Sequence, residues 1–118
     1  MKPTELRSGN YVNVPHGDVQ IDHFIKDGCH FTDGCGGTFA SLHPIPLTEE
    51  WRKKFKLPEW LGIEFHTSSI NPDYFMISFG YKHPDGGYMW TLLPKEYRYV
   101  HELQNLYFCL TDKELEIK

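Results

Sequence analysis

Tyr97-Arg-Tyr-Val-His-Glu-Leu-Gln-Asn-Leu-Tyr-Phe-Cys-Leu-Thr111 is the stretch whose reading decides the fold. At roughly 100° per residue, Tyr99, Leu103, Leu106 and Leu110 fall on one stripe, with Val100 and Tyr107 on its flank. His101, Gln104 and Asn105 take the opposite side. The spacing predicts one amphipathic helix whose apolar stripe closes a core built by the β-rich sequence before it. Phe108 breaks the pattern by projecting from the polar side. His101, Asn105 and Phe108 recur at spacings of four and three, which makes them one surface strip. An aromatic ring among polar groups has the chemistry of an interface anchor, and packing beneath the Thr111–Lys118 tail is its bland alternative.

Immediately upstream lies a β section. Phe75, Ile77, Phe79 and Tyr81 alternate with Tyr74, Met76, Ser78 and Gly80, a period of two that predicts a strand from 74 to 82. Strands at 60–67 and 88–93 flank it. Asn71-Pro-Asp73 and His83-Pro-Asp-Gly-Gly87 read as the turns between them, and Pro94 is expected to stop the last strand. His83, Tyr88 and Trp90 cluster near the second turn. Aromatic and polar groups together suit a small nucleotide-like ligand, or else simply a second mini-core.

The first 47 residues carry a turn feeding a strand across 6–14 and short strands at 19–25, 29–32 and 38–42, punctuated by Pro15-His-Gly-Asp18, Lys26-Asp27-Gly28 and Asp33-Gly-Cys-Gly-Gly37. This spacing predicts a meander curled into a small sheet or partial barrel. Pro44-Ile-Pro-Leu47 must be extended, because each proline biases its predecessor away from helix. Thr48 is an N-cap for a short helix from Glu49 to Phe55, with Trp51 and Phe55 on one face. At the C-terminus, Thr111-Asp-Lys-Glu114 precedes one turn or a short edge strand through Leu115 and Ile117. The expected fold is therefore α+β, with the C-terminal helix packed across the sheet. The chain reads as a single domain, with a β-meander lobe at 1–47, the short helix at 48–56, and a β section plus C-terminal helix at 57–118.

Composition narrows the function classes. The chain has 118 residues, enough to bury about two-thirds of its unfolded surface without staples. Eight Phe, seven Tyr and three Trp suit a β-rich core, and equally a binding surface. A net charge of −4 without a basic block argues against nucleic acid, which requires a clustered positive field. Arg52, Lys53, Lys54 and Lys56 form one basic run, preceded by Glu49 and Glu50, and read as the solvated face of the short helix. No apolar run approaches the ~20 residues of a membrane span, and Met1-Lys2-Pro3-Thr4-Glu5 lacks a signal-peptide pattern, so a cytoplasmic protein with reduced thiols is expected.

Three stretches carry a resemblance. Leu6-Arg-Ser-Gly-Asn-Tyr11, Pro44-Ile-Pro-Leu-Thr-Glu-Glu-Trp51 and Tyr99-Val-His-Glu-Leu-Gln-Asn-Leu-Tyr-Phe-Cys-Leu-Thr111 resemble the signature stretches of a small protein family from phages and mobile elements of Bacteroides-type bacteria. Members of that family run Leu-Arg-x-Gly-Asn, then Pro-Ile-Pro-Leu-Thr, then Val-His-Gln-Leu-Gln-Asn-Leu-Tyr-Phe-Ala-Leu-Thr-Gly. Glu102, Cys109 and Asp112 depart from the pattern, standing for Gln, Ala and Gly. The stretch from Leu57 to Pro94 lies outside it. The resemblance implies a phage or mobile-element origin and carries no activity with it.

Reactive constellations are weak by spacing. Cys29, His30 and Cys35 are the candidate zinc ligands, with His23 and His43 nearby, but no Cys-x-x-Cys knuckle is present, and adjacent residues of a strand point to opposite faces. Cys35 and Cys109 lack the electropositive setting of a reactive thiol. Asp33-Gly-Cys-Gly-Gly37 precedes a strand, not the helix N-terminus that a phosphate loop needs. The expected function is accordingly that of a cytosolic accessory protein that binds a protein partner or itself, with no catalytic residue, cofactor or metal. The alternatives are a nucleotide-like ligand bound or sequestered against host defence through His83, Tyr88 and Trp90, and a zinc-stabilised module.

Overall fold

A computed structural model of the chain describes residues 1, 3–57, 61–67, 74–82 and 84–117. The fold is α+β. The chain divides into two compact units, Met1–Leu47 with Tyr99–Glu114, and Thr48–Arg98 with Leu115–Lys118. The C-terminal helix thus groups with the N-terminal meander and not with the β section of the expected 57–118 lobe. No helix among the described residues is long and apolar enough to cross a membrane.

In the first unit, β1 (Tyr11–Val14), β2 (Gly17–Ile25), β3 (Gly28–Phe31) and β4 (Gly36–Thr38) pair antiparallel in chain order. The sheet curls as a half-barrel, helped by a register shift between Ile21 and His23, since a bulge increases local twist. Alternation sends Val12, Val14, Val19 and Ile21 inward, where they meet Cys29, Phe31 and Leu42. The strand expected at 38–42 ends at Thr38. A 3-10 turn, Phe39–Ser41, replaces the rest, held by the Ser41 hydroxyl donating to the Thr38 carbonyl at 2.7 Å.

The helix α2 (Val100–Thr111) starts later than its sequence suggested, because Tyr97 is taken by a strand and pairs with Phe75. Glu102 accepts the Tyr99 backbone N–H at 3.0 Å, and the Val100 N–H donates to the Ile45 carbonyl at 2.9 Å. These bonds satisfy amides that a helix N-terminus would otherwise orphan. Asp112 ends the helix in the left-handed conformation, at φ 58°.

The face that α2 buries is rotated from the predicted one. Val100, His101, Leu103, Gln104 and Tyr107 are buried, whereas Leu106 is half-buried and Leu110 is 40% exposed. The physical reason is a set of amide bonds. Gln104 Oε1 accepts the Tyr11 N–H at 2.8 Å, and its Nε2 donates to the Gly9 carbonyl at 2.9 Å. Asn105 Oδ1 accepts from Asn10 Nδ2 at 2.8 Å, and Asn105 Nδ2 donates to the Glu5 carbonyl at 3.1 Å. Asn10 Oδ1 takes the Arg7 N–H at 2.7 Å, and Gln20 Nε2 adds a second donor to Gly9 at 3.1 Å. A polar side chain bonded at both ends can be buried cheaply, so the helix turns these residues inward.

The second unit begins with α1 (Glu49–Lys54), capped by Thr48 Oγ1 accepting from the Trp51 N–H at 3.3 Å. Phe55 leaves the helix and opens β5 (Phe55–Lys56), which pairs with β9 (Glu116–Ile117). Of the two expectations for the C-terminus, one turn or a short edge strand, the strand is the one that forms. β6 (Leu61–Thr67), β7 (Phe75–Lys82) and β8 (Tyr88–Tyr97) form an antiparallel sheet in that order. Trp60 and the Asn71–Asp73 turn lie outside the described residues. Pro94 does not stop β8. Ser78 pairs with Leu92 and Met76 with Glu96, so the extra residues between them form a bulge on an edge strand, where a missing N–H is tolerated. Leu61, Ile77, Phe79 and Tyr97 share the buried face, and on it Arg52 of α1 lies 4.5 Å from the centre of the Phe75 ring.

Replacing Gln104 by Leu should cost about 1–3 kcal/mol in urea unfolding, since it strands the Tyr11 amide in a dry site. Leu110→Gln, at an exposed position of the stripe that periodicity assigns to the core, should stay within about 0.5 kcal/mol of the parent. The reverse ranking would restore the periodicity-based helix face.

Candidate functional site

The strip His101, Asn105 and Phe108 is not an open face. His101 is 3% exposed, and its ring stacks on Tyr99 with centroids 5.9 Å apart. Asn105 is half-buried and spends both ends of its amide on its own chain. Phe108 is half-buried, with the Arg7 guanidinium 4.0 Å above its ring centre, a cation–π contact. Arg7 is in turn paired with Glu114. The polar side of the helix is thus largely a seam within the first unit, which occupies His101 and Asn105 and leaves Phe108 half-covered by Arg7.

The hairpin of β7 and β8 fares differently. His83 lies outside the described residues, but Tyr88 and Trp90 come together, ring centroids 5.6 Å apart and tilted by 31°. Cross-strand register explains the rest of this face. Gly80 is opposite Trp90 and Gly62 opposite Gly80, so no side chain stands between β8 and β6. The indole lies across that gap. A Cβ at Gly80 would sit 2.9 Å from Trp90 Cδ2, and one at Gly62 2.8 Å from Cη2. Only glycine leaves the ring this seat, an aromatic covering bare backbone. The other side of the ring stays open: Trp90 is 45% exposed, Tyr88 43% and Leu92, on the same face, 55%. Large apolar groups gathered on one solvated face mark an interaction surface more often than isolated ones do. Beside them His66 Nε2 and the Ser78 hydroxyl are hydrogen-bonded at 2.9 Å.

The thiols and imidazoles of the N-terminal sheet do not assemble as the sequence proposed. Cys29 is fully buried in the half-barrel core, and burial pushes its thiol pKa up. His30 points away and stacks on His23 at 4.9 Å. The proposed set of Cys29, His30 and Cys35 is therefore split between two faces, as the alternation of a strand requires.

Cys35 instead meets two residues that sequence reasoning treated as turn filler, His16 and Asp33. The ligand atoms of these three side chains lie within 4.8 Å of one another. His16 Nε2 and Asp33 Oδ2 are 3.1 Å apart, and the Cys35 N–H donates to Asp33 Oδ1 at 2.8 Å. That amide first, and then His16, holds the Asp33 carboxyl below the usual carboxylate range. Next to them opens a cleft of about 450 Å³ lined by Val14, Pro15, His16, Phe31, Gly36, Gly37 and Ser41. The signal for this grouping is topological. In an antiparallel meander the first and third turns lie at the same end of the sheet, so residues at 16 and at 33–35 become neighbours.

The chain matches no family model, no curated protein and no solved structure.

The three thiols should separate cleanly. In the native protein iodoacetamide should modify Cys35 and Cys109, both exposed, and leave Cys29 intact. In denaturant all three should react, as read by peptide mass spectrometry. Equal native reactivity at Cys29 would contradict its place in the core.

Proposed function

We propose that this protein is a non-enzymatic accessory factor of a phage or mobile element that acts by binding a protein partner or a second copy of itself. The observation that carries the reading is the open aromatic face of β6–β8: Trp90 seated on Gly62 and Gly80, with Tyr88 and Leu92 beside it. Trp and Tyr are the residues most often found at the energetic centre of an interface, because each buries a large rigid area and keeps one polar atom for orientation. The rings stand exposed on one face of a sheet, and a small molecule would need enclosure that exposed side chains alone do not provide. The origin rests on the resemblance of the three signature stretches. These stretches are hydrogen-bonded to one another here: the Gln104 and Asn105 side chains bond the 5–11 segment, and the Val100 N–H donates to the Ile45 carbonyl. A signature of that kind supports a shared fold and carries no chemistry.

A second reading is favoured by the tilted Tyr88–Trp90 pair, whose ring faces could stack on a planar base, as in a protein that sequesters a nucleotide-like ligand from host defence.

The test uses the full chain. Self-association is read by light scattering after size exclusion across concentrations, and partner capture by quantitative pull-down from host lysate. Trp90→Ser should weaken binding tenfold or more, on the order of 2 kcal/mol for a central aromatic. Gly80→Ala should weaken it as well, by unseating the indole without removing it. Circular dichroism should be unchanged in both. Parent-like binding by a folded Trp90→Ser protein would end the proposal, and quenching of tryptophan emission by a mononucleotide in the parent alone would favour the second reading.

A further inference from the structure

We propose that His16, Asp33 and Cys35 form a binding site for a divalent transition-metal ion, with zinc the best fit, at the mouth of the cleft in the N-terminal half-barrel. This goes beyond the binding role of the β6–β8 face and uses none of its residues.

The donor set is the first argument. Thiolate sulfur, imidazole nitrogen and carboxylate oxygen together select zinc over magnesium or calcium, which take oxygen alone. Three protein ligands with a fourth position left to water is the pattern of open zinc sites, whereas structural sites close with four. Here His16 belongs to both the ligand set and the cleft wall, and all three ligands are exposed, so solvent has access to a fourth position.

Geometry is the second. Bonds of about 2.0–2.3 Å in a tetrahedron separate ligand atoms by about 3.3–3.8 Å. His16 Nε2 and Asp33 Oδ2, at 3.1 Å, are already near that spacing, and all three ligand atoms fall within 4.8 Å. All three side chains are exposed, so neighbouring rotamers are open to them for closing the difference.

Preorganisation is the third. Asp33 Oδ1 is fixed by the Cys35 N–H, which turns Oδ2 toward His16. An outer bond that orients a ligating carboxylate is a regular companion of a metal site. His16 is likewise positioned, its ring 6.5 Å from that of Phe31, a core residue that also lines the cleft. The three ligands come from two turns whose spacing the sheet fixes, so an ion would tie the first turn of the meander to the third.

The probes are zinc and cobalt(II) added to the full-length, chelator-stripped protein. One equivalent of cobalt should bind and produce a thiolate-to-cobalt charge-transfer band in the near ultraviolet with visible d–d bands, and zinc should abolish both. Cys35→Ser should lose the charge-transfer band. His16→Gln and Asp33→Asn should each weaken binding by roughly tenfold or more. Cys109→Ser, an exposed thiol elsewhere, should bind as the parent does. In the unmutated protein, zinc should protect Cys35 and not Cys109 from alkylation, a readout that needs no variant to fold. Absence of stoichiometric cobalt uptake by the folded parent, or equal alkylation of Cys35 with and without zinc, overturns the site. A cobalt spectrum that survives Cys35→Ser overturns this ligand set.

Discussion

The carboxamide of Gln104 is the constraint on which the N-terminal unit depends. It is 1% exposed, and it exchanges hydrogen bonds with the backbone of residue 9 on one side and residue 11 on the other. Those backbone groups sit where the chain enters β1. The Ile21 N–H donates to the Asn10 carbonyl and the Gly9 N–H to the Ile21 carbonyl, so they also anchor the middle of β2. One amide side chain therefore fixes the azimuth of α2 and the start of the sheet at once. An apolar residue of equal volume would fill the same space and leave the β1 amide without a partner, which is why polarity is tolerated at this buried position.

Next to this clamp sits a layered contact that accounts for the odd aromatic of α2. Phe108 carries Arg7 on its face, and Arg7 pairs with Glu114 just past the helix end. Gly9, at φ 93°, lies close enough to Glu114 that a Cβ would come within 3.0 Å of its carboxylate. Only glycine adopts that backbone without strain and leaves room for the ion pair. The segment Leu6–Asn10 is thus shaped by what the helix presents to it. Its Leu-Arg-x-Gly-Asn pattern reads as structural, each named residue after the leucine having a partner on α2 or just beyond it.

In the second unit, an exposed aromatic face grows from bare backbone. Two glycines facing each other across β6 and β7 would ordinarily weaken a sheet, and Trp90 compensates by lying over both. The same placement leaves a broad apolar ring face turned to solvent, flanked by Tyr88 and Leu92. Packing need and exposed aromatic surface are here one arrangement. The metal site proposed in the half-barrel is of a different kind, since His16, Asp33 and Cys35 belong to turns and contribute nothing to a core.

The α+β class, the four-strand meander, the Thr48 cap, the strand at 74–82 and the C-terminal edge strand were legible in the sequence, because alternation, capping chemistry and turn residues act over a few neighbouring positions. So was the pairing of Tyr88 with Trp90, two apart on one strand. The face of α2 was not. Helical periodicity ranks side chains by polarity, and it cannot know that Gln104 and His101 would find burial while Leu110 would not. Nor could local rules show β8 running through Pro94, since a bulge on an edge strand depends on its partner's register. The grouping of His16 with Asp33 and Cys35, and the splitting of Cys29 from them, were decided by the curl and order of the sheet. Neighbour chemistry is written along the chain; which distant polar groups meet is settled only when the strands close.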